Sequence, residues 1–188
     1  MFINPKHVIE QGWIQHPQCN TYQDWLDRKF VSPNAIDWTV DSMYTIVGDD
    51  RQSNEFYISE QSKQLIPNQS CRSYVHEGTK EEGWDVYQNE CYDIMSNFYV
   101  EVPTGTLALL YIRSTFARVG CTISNTVWDQ GFKGNVGSVL HTRKNGFIVK
   151  GCRIAQIGFI RAEDSGIVYA GGYNTANGQH WTETKSAK

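Results

Sequence analysis

The chain has 188 residues, 40% hydrophobic and 13% aromatic, with a net charge of −3 and a pI near 5.9. That length and apolar content call for one packed core and exclude wholesale disorder. The weak acidity excludes a basic face for nucleic-acid backbones, while leaving room for a small basic pocket that takes one polyphosphate.

Five cysteines (Cys19, Cys71, Cys91, Cys121, Cys152) are scattered without a CxxC pair, which suggests neither a disulfide framework nor a zinc site. Free thiols in a reducing compartment are the expectation. The opening MFINPKHVIE carries no basic region followed by an apolar run, and the longest apolar run, LALLYI, is far short of a membrane span. A soluble, cytoplasmic protein is expected, with neither membrane nor nucleic acid as a partner.

In chain order, Asn4 can cap a short helix, Pro5 suits its first position and Gly12 can end it. After it, strands dominate. AIDWTVD alternates, with Ile36, Trp38 and Val40 on one face and Asp37, Thr39 and Asp41 on the other, so Asp37 is expected to face solvent. EGTKEEGWD, residues 77 to 85, reads as a charged loop, and FYVEV as another alternating strand through Phe98, Val100 and Val102.

YIRSTFARVG places Arg113 at the end of an apolar strand, followed by Ser114, Thr115 and Arg118. Two guanidinium forks flanking two hydroxyls fit an oxyanion clamp; they fit equally a strand end whose arginines pair with acids. DQGFKGNVGSVL sets a lone acid, Asp129, at the mouth of a glycine turn that runs straight into a strand. FIVKGCRIAQIGFI predicts two strands broken at Lys150-Gly151, the second apolar on both faces apart from Gln156, whose burial needs a hydrogen-bond partner. The tail from Tyr169 onward is rich in glycine, asparagine and threonine and lacks periodicity, so it is expected to be mobile.

Short strands separated by Gly, Asn and Asp clusters predict an all-β barrel or jelly roll with one short N-terminal helix. A single domain over residues 1–188 is expected, with the part beyond about 165 a flexible lid or tail. Several chemistries are excluded. The chain has neither the H-x-E nor the P-C-x-x-C of zinc deaminases, no G-x-x-x-x-G-K-[ST] loop, and no histidine ligand spacing.

Taken in order, AIDWTVD, RSTFARVG, VWDQGFKGNVGSVL and GCRIAQIGF resemble the four motifs of the trimeric dUTPase and dCTP deaminase superfamily, over most of the chain from Ile36 to Phe159. The resemblance implies the distorted jelly roll of the β-clip type. The 76 residues from Asp37 to Arg113 and the R-S-x-x-A-R-x-G pattern are deaminase-like. However, Val139 stands where those deaminases carry the glutamate that hydrates the ring, and GNVGSVL resembles a dUTPase strand.

What the resemblance implies is therefore hydrolysis of dUTP to dUMP and pyrophosphate. Asp129 would activate the water, and Arg113, Ser114 and Gln156, with Thr115 or Arg118, would hold the phosphates. Asn125, Val127 and Phe132 of the hairpin would hold base and sugar, and Tyr173 and Gln179 of the tail would close the site. Mg²⁺ would bind through the substrate phosphates with no direct protein ligand, and the sites would lie between subunits of a homotrimer. The alternatives are a dCTP deaminase or bifunctional enzyme using another acid–base group, a pyrophosphatase for dCTP or another pyrimidine deoxynucleotide, and a non-catalytic nucleotide-binding regulator.

Overall fold

The computed structural model describes residues 1–46 and 69–170, together with two short strands between them. Three helices occur among these residues: α1 (Pro5–Glu10), α2 (Tyr22–Asp27) and α3 (Ser114–Arg118). The strands are β1 (Ile14–Gln15), β2 (Ile36–Thr39), β3 (Ser42–Thr45), β4 (Tyr57–Ile58), β5 (Lys63–Gln64), β6 (Gln69–Ser70), β7 (Tyr74–Val75), β8 (Glu82–Val86), β9 (Cys91–Glu101), β10 (Thr106–Ile112), β11 (Cys121–Ile123), β12 (Val127–Trp128), β13 (Lys133–Thr142), β14 (Gly146–Val149) and β15 (Arg153–Arg161).

The predicted N-terminal helix is present. The Asn4 side chain accepts from the Lys6 N–H at 2.9 Å, Pro5 opens the first turn, and Gly12, at φ +70°, follows the helix end. Helix α2 was missed because its signal is a compact capping box rather than an apolar period. Thr21 accepts from the Asp24 N–H, while the Asp24 carboxylate accepts from the Asn20 and Thr21 N–H groups, both at 2.8 Å.

Two antiparallel sheets build the body. One runs β11-β13-β9-β3-β6, with β1 added alongside β9; the other runs β12-β10-β15-β2. Their inward side chains merge into one buried cluster, with Ile94, Phe98, Val100, Val136 and Leu140 from the first sheet and Trp38, Leu110, Ile154, Ile157 and Phe159 from the second. Burying each such side chain is worth about 2–3 kcal/mol, so this cluster is the main source of stability. A smaller sheet, β14-β8-β7, and the β4-β5 pair complete the described strands. This is the mostly β, jelly-roll type of architecture expected from the sequence.

Two expectations are corrected. Residues 82–85, expected within a charged loop, belong to β8, because Gly83, Trp84 and Val86 are buried while Glu82 and Asp85 face outward. Strand β2 is buried at all four positions, so its alternation does not put Asp37 in solvent. A strand covered on both faces buries even an acid if ionic partners meet it there.

Candidate active site

Asp37 is 2% exposed and is the hub of one polar cluster. Antiparallel pairing of β2 with β15 sets Gln156 opposite Asp37, and pairing of β15 with β10 sets Tyr111 opposite Gln156. Arg113 lies two residues beyond Tyr111 and so projects from the same face. A register shift between Arg153 and Ala155 inserts one residue, which returns Arg153 to the face of Gln156 although the two are three apart in sequence.

The result is a carboxylate bonded on both oxygens. Asp37 Oδ2 accepts from Nη1 of Arg113 and, at 3.1 Å, from Nη1 of Arg153; Oδ1 accepts from Gln156 Nε2 at 2.8 Å. Gln156 Nε2 also donates to Ser32 Oγ at 3.0 Å, and Arg153 Nη1 to the Lys29 carbonyl at 2.7 Å. Two cations against one anion leave the cluster positive, and both arginine side chains remain partly exposed. Such a patch can take an oxyanion on its open side, through guanidinium N–H groups that Asp37 does not occupy.

Of the residues expected to hold phosphate, Arg113 and Gln156 therefore belong to one cluster. Ser114, Thr115 and Arg118 lie on the exposed surface of α3, directly after Arg113. The apolar strand ends at Ile112, next to Arg113, as expected, and the residues that follow Arg113 form a short helix. Arg153 was missed although it stands inside the quoted GCRIAQ stretch; the bulge that turns it inward leaves no mark in the sequence pattern.

Asp129 lies elsewhere. It is exposed and opens a turn closed by the Phe132 N–H donating to the Asp129 carbonyl at 3.1 Å, with Gly131 at φ +86° in the third position. That combination is the signature of a type II turn and explains the glycine. The Gly131 N–H donates to the Val102 carbonyl at 2.8 Å and the Val102 N–H to the Phe132 carbonyl at 2.9 Å, which stitch the turn to the end of β9.

Strand β12 pairs with β10 so that Trp128 faces Ala108, and Asp129 comes level with Leu107. Arg113 lies six residues further along β10, about 20 Å at the rise of a strand. Within one chain, then, the lone acid and the cationic cluster sit at opposite ends of β10.

The hairpin residues separate by exposure. Asn125 and Val127 are exposed, whereas Phe132 is 3% exposed, its ring 6.2 Å from that of Trp128 and 5.7 Å from that of Tyr169. Trp128, before the turn, and Tyr169, of the C-terminal segment, thus flank the Phe132 ring. Tyr173 and Gln179 lie outside the described residues.

Val139 is half-buried on β13 and pairs with Asp93 of β9, which is 6% exposed. Direct antiparallel partners share a face with Cβ atoms about 5 Å apart, so an acid borders the Val139 position from the neighbouring strand. Two residues on, His141 bonds through Nδ1 to Cys91 Sγ at 3.0 Å and through Nε2 to Ser124 Oγ at 3.2 Å.

The model of the dCTP deaminase-like family matches residues 14–162. A protein of Archaeoglobus fulgidus named "probable deoxyuridine 5'-triphosphate nucleotidohydrolase" is 26% identical over 158 residues, covering 82% of this chain and 87% of its own. The dCTP deaminase of Acidianus ambivalens is 27% identical over 134 residues, covering 70% of this chain and 65% of its own. In fold, the chain is similar to the 2'-deoxycytidine 5'-triphosphate deaminase of Agrobacterium tumefaciens, with a TM-score of 0.55 at 10% identity, over 81% of this chain and 45% of that one. The chain therefore belongs to the dCTP deaminase-like family of nucleotide-processing enzymes.

Proposed function

We propose that the protein hydrolyses dUTP to dUMP and pyrophosphate, at sites shared between the subunits of a homotrimer. The observation that carries this reading is the separation of Asp129 from the Asp37–Arg113–Arg153–Gln156 cluster by about 20 Å along β10. A carboxylate that activates water and the cations that hold the same phosphate must lie within a few ångströms of one phosphorus. One chain does not bring them together, so in this reading a second copy offers its cluster to the first copy's turn.

In this reading Asp129 orients and deprotonates a water for in-line attack on the α-phosphorus. Arg113 and Gln156, with Ser114, Thr115 or Arg118, stabilise the charge that builds on the phosphate oxygens. Asn125 and Val127 line the base. Mg²⁺ arrives on the triphosphate, as an ion that keeps much of its water shell.

The test is complementation. Wild-type protein with dUTP and Mg²⁺ is expected to release pyrophosphate, and Asp129→Asn and Arg113→Ala are each expected to be inactive. Mixing the two variants under conditions that exchange subunits should restore part of the activity, because some sites then draw an intact acid from one chain and an intact arginine from another. Inactive wild type refutes the hydrolase; active wild type with no recovery on mixing refutes the shared site.

A second reading rests on the Val139–Asp93 pairing. A carboxylate beside the valine position favours a dCTP deaminase that uses Asp93 as its acid–base group. It requires ammonia release from dCTP that Asp93→Asn removes; dCTP returned unchanged by the wild type rules it out.

A further inference from the structure

Gln130 follows Asp129 directly, is 7% exposed, and its amide is bonded at both ends. Oε1 accepts from the Gly105 N–H at 2.8 Å, in the turn between β9 and β10. Nε2 faces three acceptors of the C-terminal segment: Asp164 Oδ1 at 3.0 Å, Ser165 Oγ at 3.3 Å and the Ile167 carbonyl at 2.7 Å. The Gln130 carbonyl accepts in turn from the Tyr169 N–H at 2.8 Å, and the Tyr169 ring closes edge-on against Phe132. Residues 164–169 thus form a strap across the outside of the Asp129 turn. It carries no helix or strand of its own, and its six residues are fixed to the hairpin by contacts that converge on Gln130.

We propose that Gln130 is a positioning residue for Asp129, and that the strap Asp164–Tyr169 is a built part of the site acting through it. The inference rests on the reading of Asp129 as the water-activating acid. An exposed aspartate on a two-stranded turn has freedom to swing; the same aspartate next to a buried amide clamped from two sides does not. Displacements near 1 Å at a reacting group cost roughly 100-fold in rate, so a clamp one residue away is enough to matter.

The clamp has a polarity that can be reversed. Gln130→Glu keeps an acceptor for Gly105 but faces the Asp164 carboxylate with a second one. Asp164→Asn then supplies a donor to the new carboxylate, so the pair Gln130→Glu with Asp164→Asn restores the contact between residues 130 and 164 with its direction exchanged, while the bond to the Ile167 carbonyl stays lost. With dUTP and Mg²⁺, Gln130→Glu alone is expected to lower kcat roughly 10- to 100-fold with KM little changed, and the double variant to regain part of that loss. Amide exchange at Gly131 and Phe132 should accelerate in the single variant and slow again in the double. A purely structural Gln130 would lower the melting temperature and leave kcat of the folded protein intact, which would overturn the proposal. Exchange at Gly131 and Phe132 unchanged in Gln130→Glu would overturn it even in a protein that turns over no nucleotide. Wild type without pyrophosphate release but with exchange responding as described would refute the hydrolase reading and keep the clamp as the anchor of the turn.

Discussion

Asp37 and Arg113, 76 residues apart in sequence, are joined by an ion pair in which the carboxylate is buried and the arginine side chain partly exposed. The pair fixes the end of β10, where α3 begins, against β2. Arg153 and Gln156 bond the same carboxylate, so Asp37 holds together two side chains of β15 and the arginine that follows β10.

Removing that carboxylate should act on both stability and ligand binding. Asp37→Ala leaves two guanidinium groups without their common acceptor and is expected to cost about 3 kcal/mol, read from the urea midpoint. Asp37→Asn preserves shape and one acceptor and should cost less, about 1–2 kcal/mol. Both should raise KM for a nucleoside triphosphate more than they lower kcat, because Arg113 loses the partner that orients it. An unchanged KM with either variant would separate the cluster from phosphate binding.

Asp129 should behave in the opposite way. Its side chain is exposed and its turn is held by backbone bonds and by Gln130, so Asp129→Asn removes no packing and no buried pair. We expect kcat to fall by at least about 100-fold, while the melting temperature stays within about 2 °C of wild type. A large fall in melting temperature would mean that the acid is structural.

Much of this was legible in the sequence. The capped N-terminal helix, the alternation around Phe98 to Val102 and the glycine break at Lys150-Gly151 each rest on a local rule, and local rules survive folding. The glycine turn after Asp129 was legible for the same reason. What escaped depends on partners distant in sequence. Asp37 was read as a surface acid because alternation reports only a strand's own two faces, not what the other sheet brings against them. Arg153 became visible only through a bulge, and Gln130 only through residues 105 and 164–167. Helix α3 is five residues of mixed character following an apolar strand, too short to show a helical period.

Cys152 offers a test by pH. Burial, reinforced by the nearby negative charge of Asp41, pushes its thiol up from 9.0 to about 11. The folded state therefore favours the neutral thiol. The corresponding stability is fully present below the unfolded value and is lost as pH rises through the folded one. Between about pH 9 and pH 11 the wild type should lose about 2 kcal/mol more than Cys152→Ala does, by the standard conversion of pKa shift to free energy. Equal losses in the two proteins would show that the thiol does not sense its burial.

Asp164 gives the acid counterpart at the strap. The Gly166 N–H, and after it the Gln130 amide, hold its carboxyl below the usual aspartate range. A depressed value means that docking of the strap is favoured above the unfolded value and weakens as pH falls through the folded one. Amide exchange at Gly166 and Tyr169, corrected for intrinsic rates, should therefore show less protection under acid conditions than at neutral pH, and Asp164→Asn should flatten that dependence. Protection that is independent of pH in the wild type would remove Asp164 from the anchor.

Gly131 should prove the least replaceable residue of the turn. Its φ of +86° is strained for any side chain, and a Cβ placed there would come within 2.9 Å of Val168 Cβ and 3.1 Å of the Tyr169 nitrogen. Gly131→Ala must therefore pay for backbone strain and also push the strap away from the hairpin, an expected cost of about 1–3 kcal/mol. The two parts can be separated. Val168→Gly in the same chain removes the nearest atom that the new methyl meets, leaving the Tyr169 nitrogen, so the double variant should recover part of the strap's exchange protection while keeping the loss that comes from φ. If Gly131→Ala leaves protection at Tyr169 at the wild-type level, then the strap is not seated on the turn and the close approach of Val168 is not what requires glycine there.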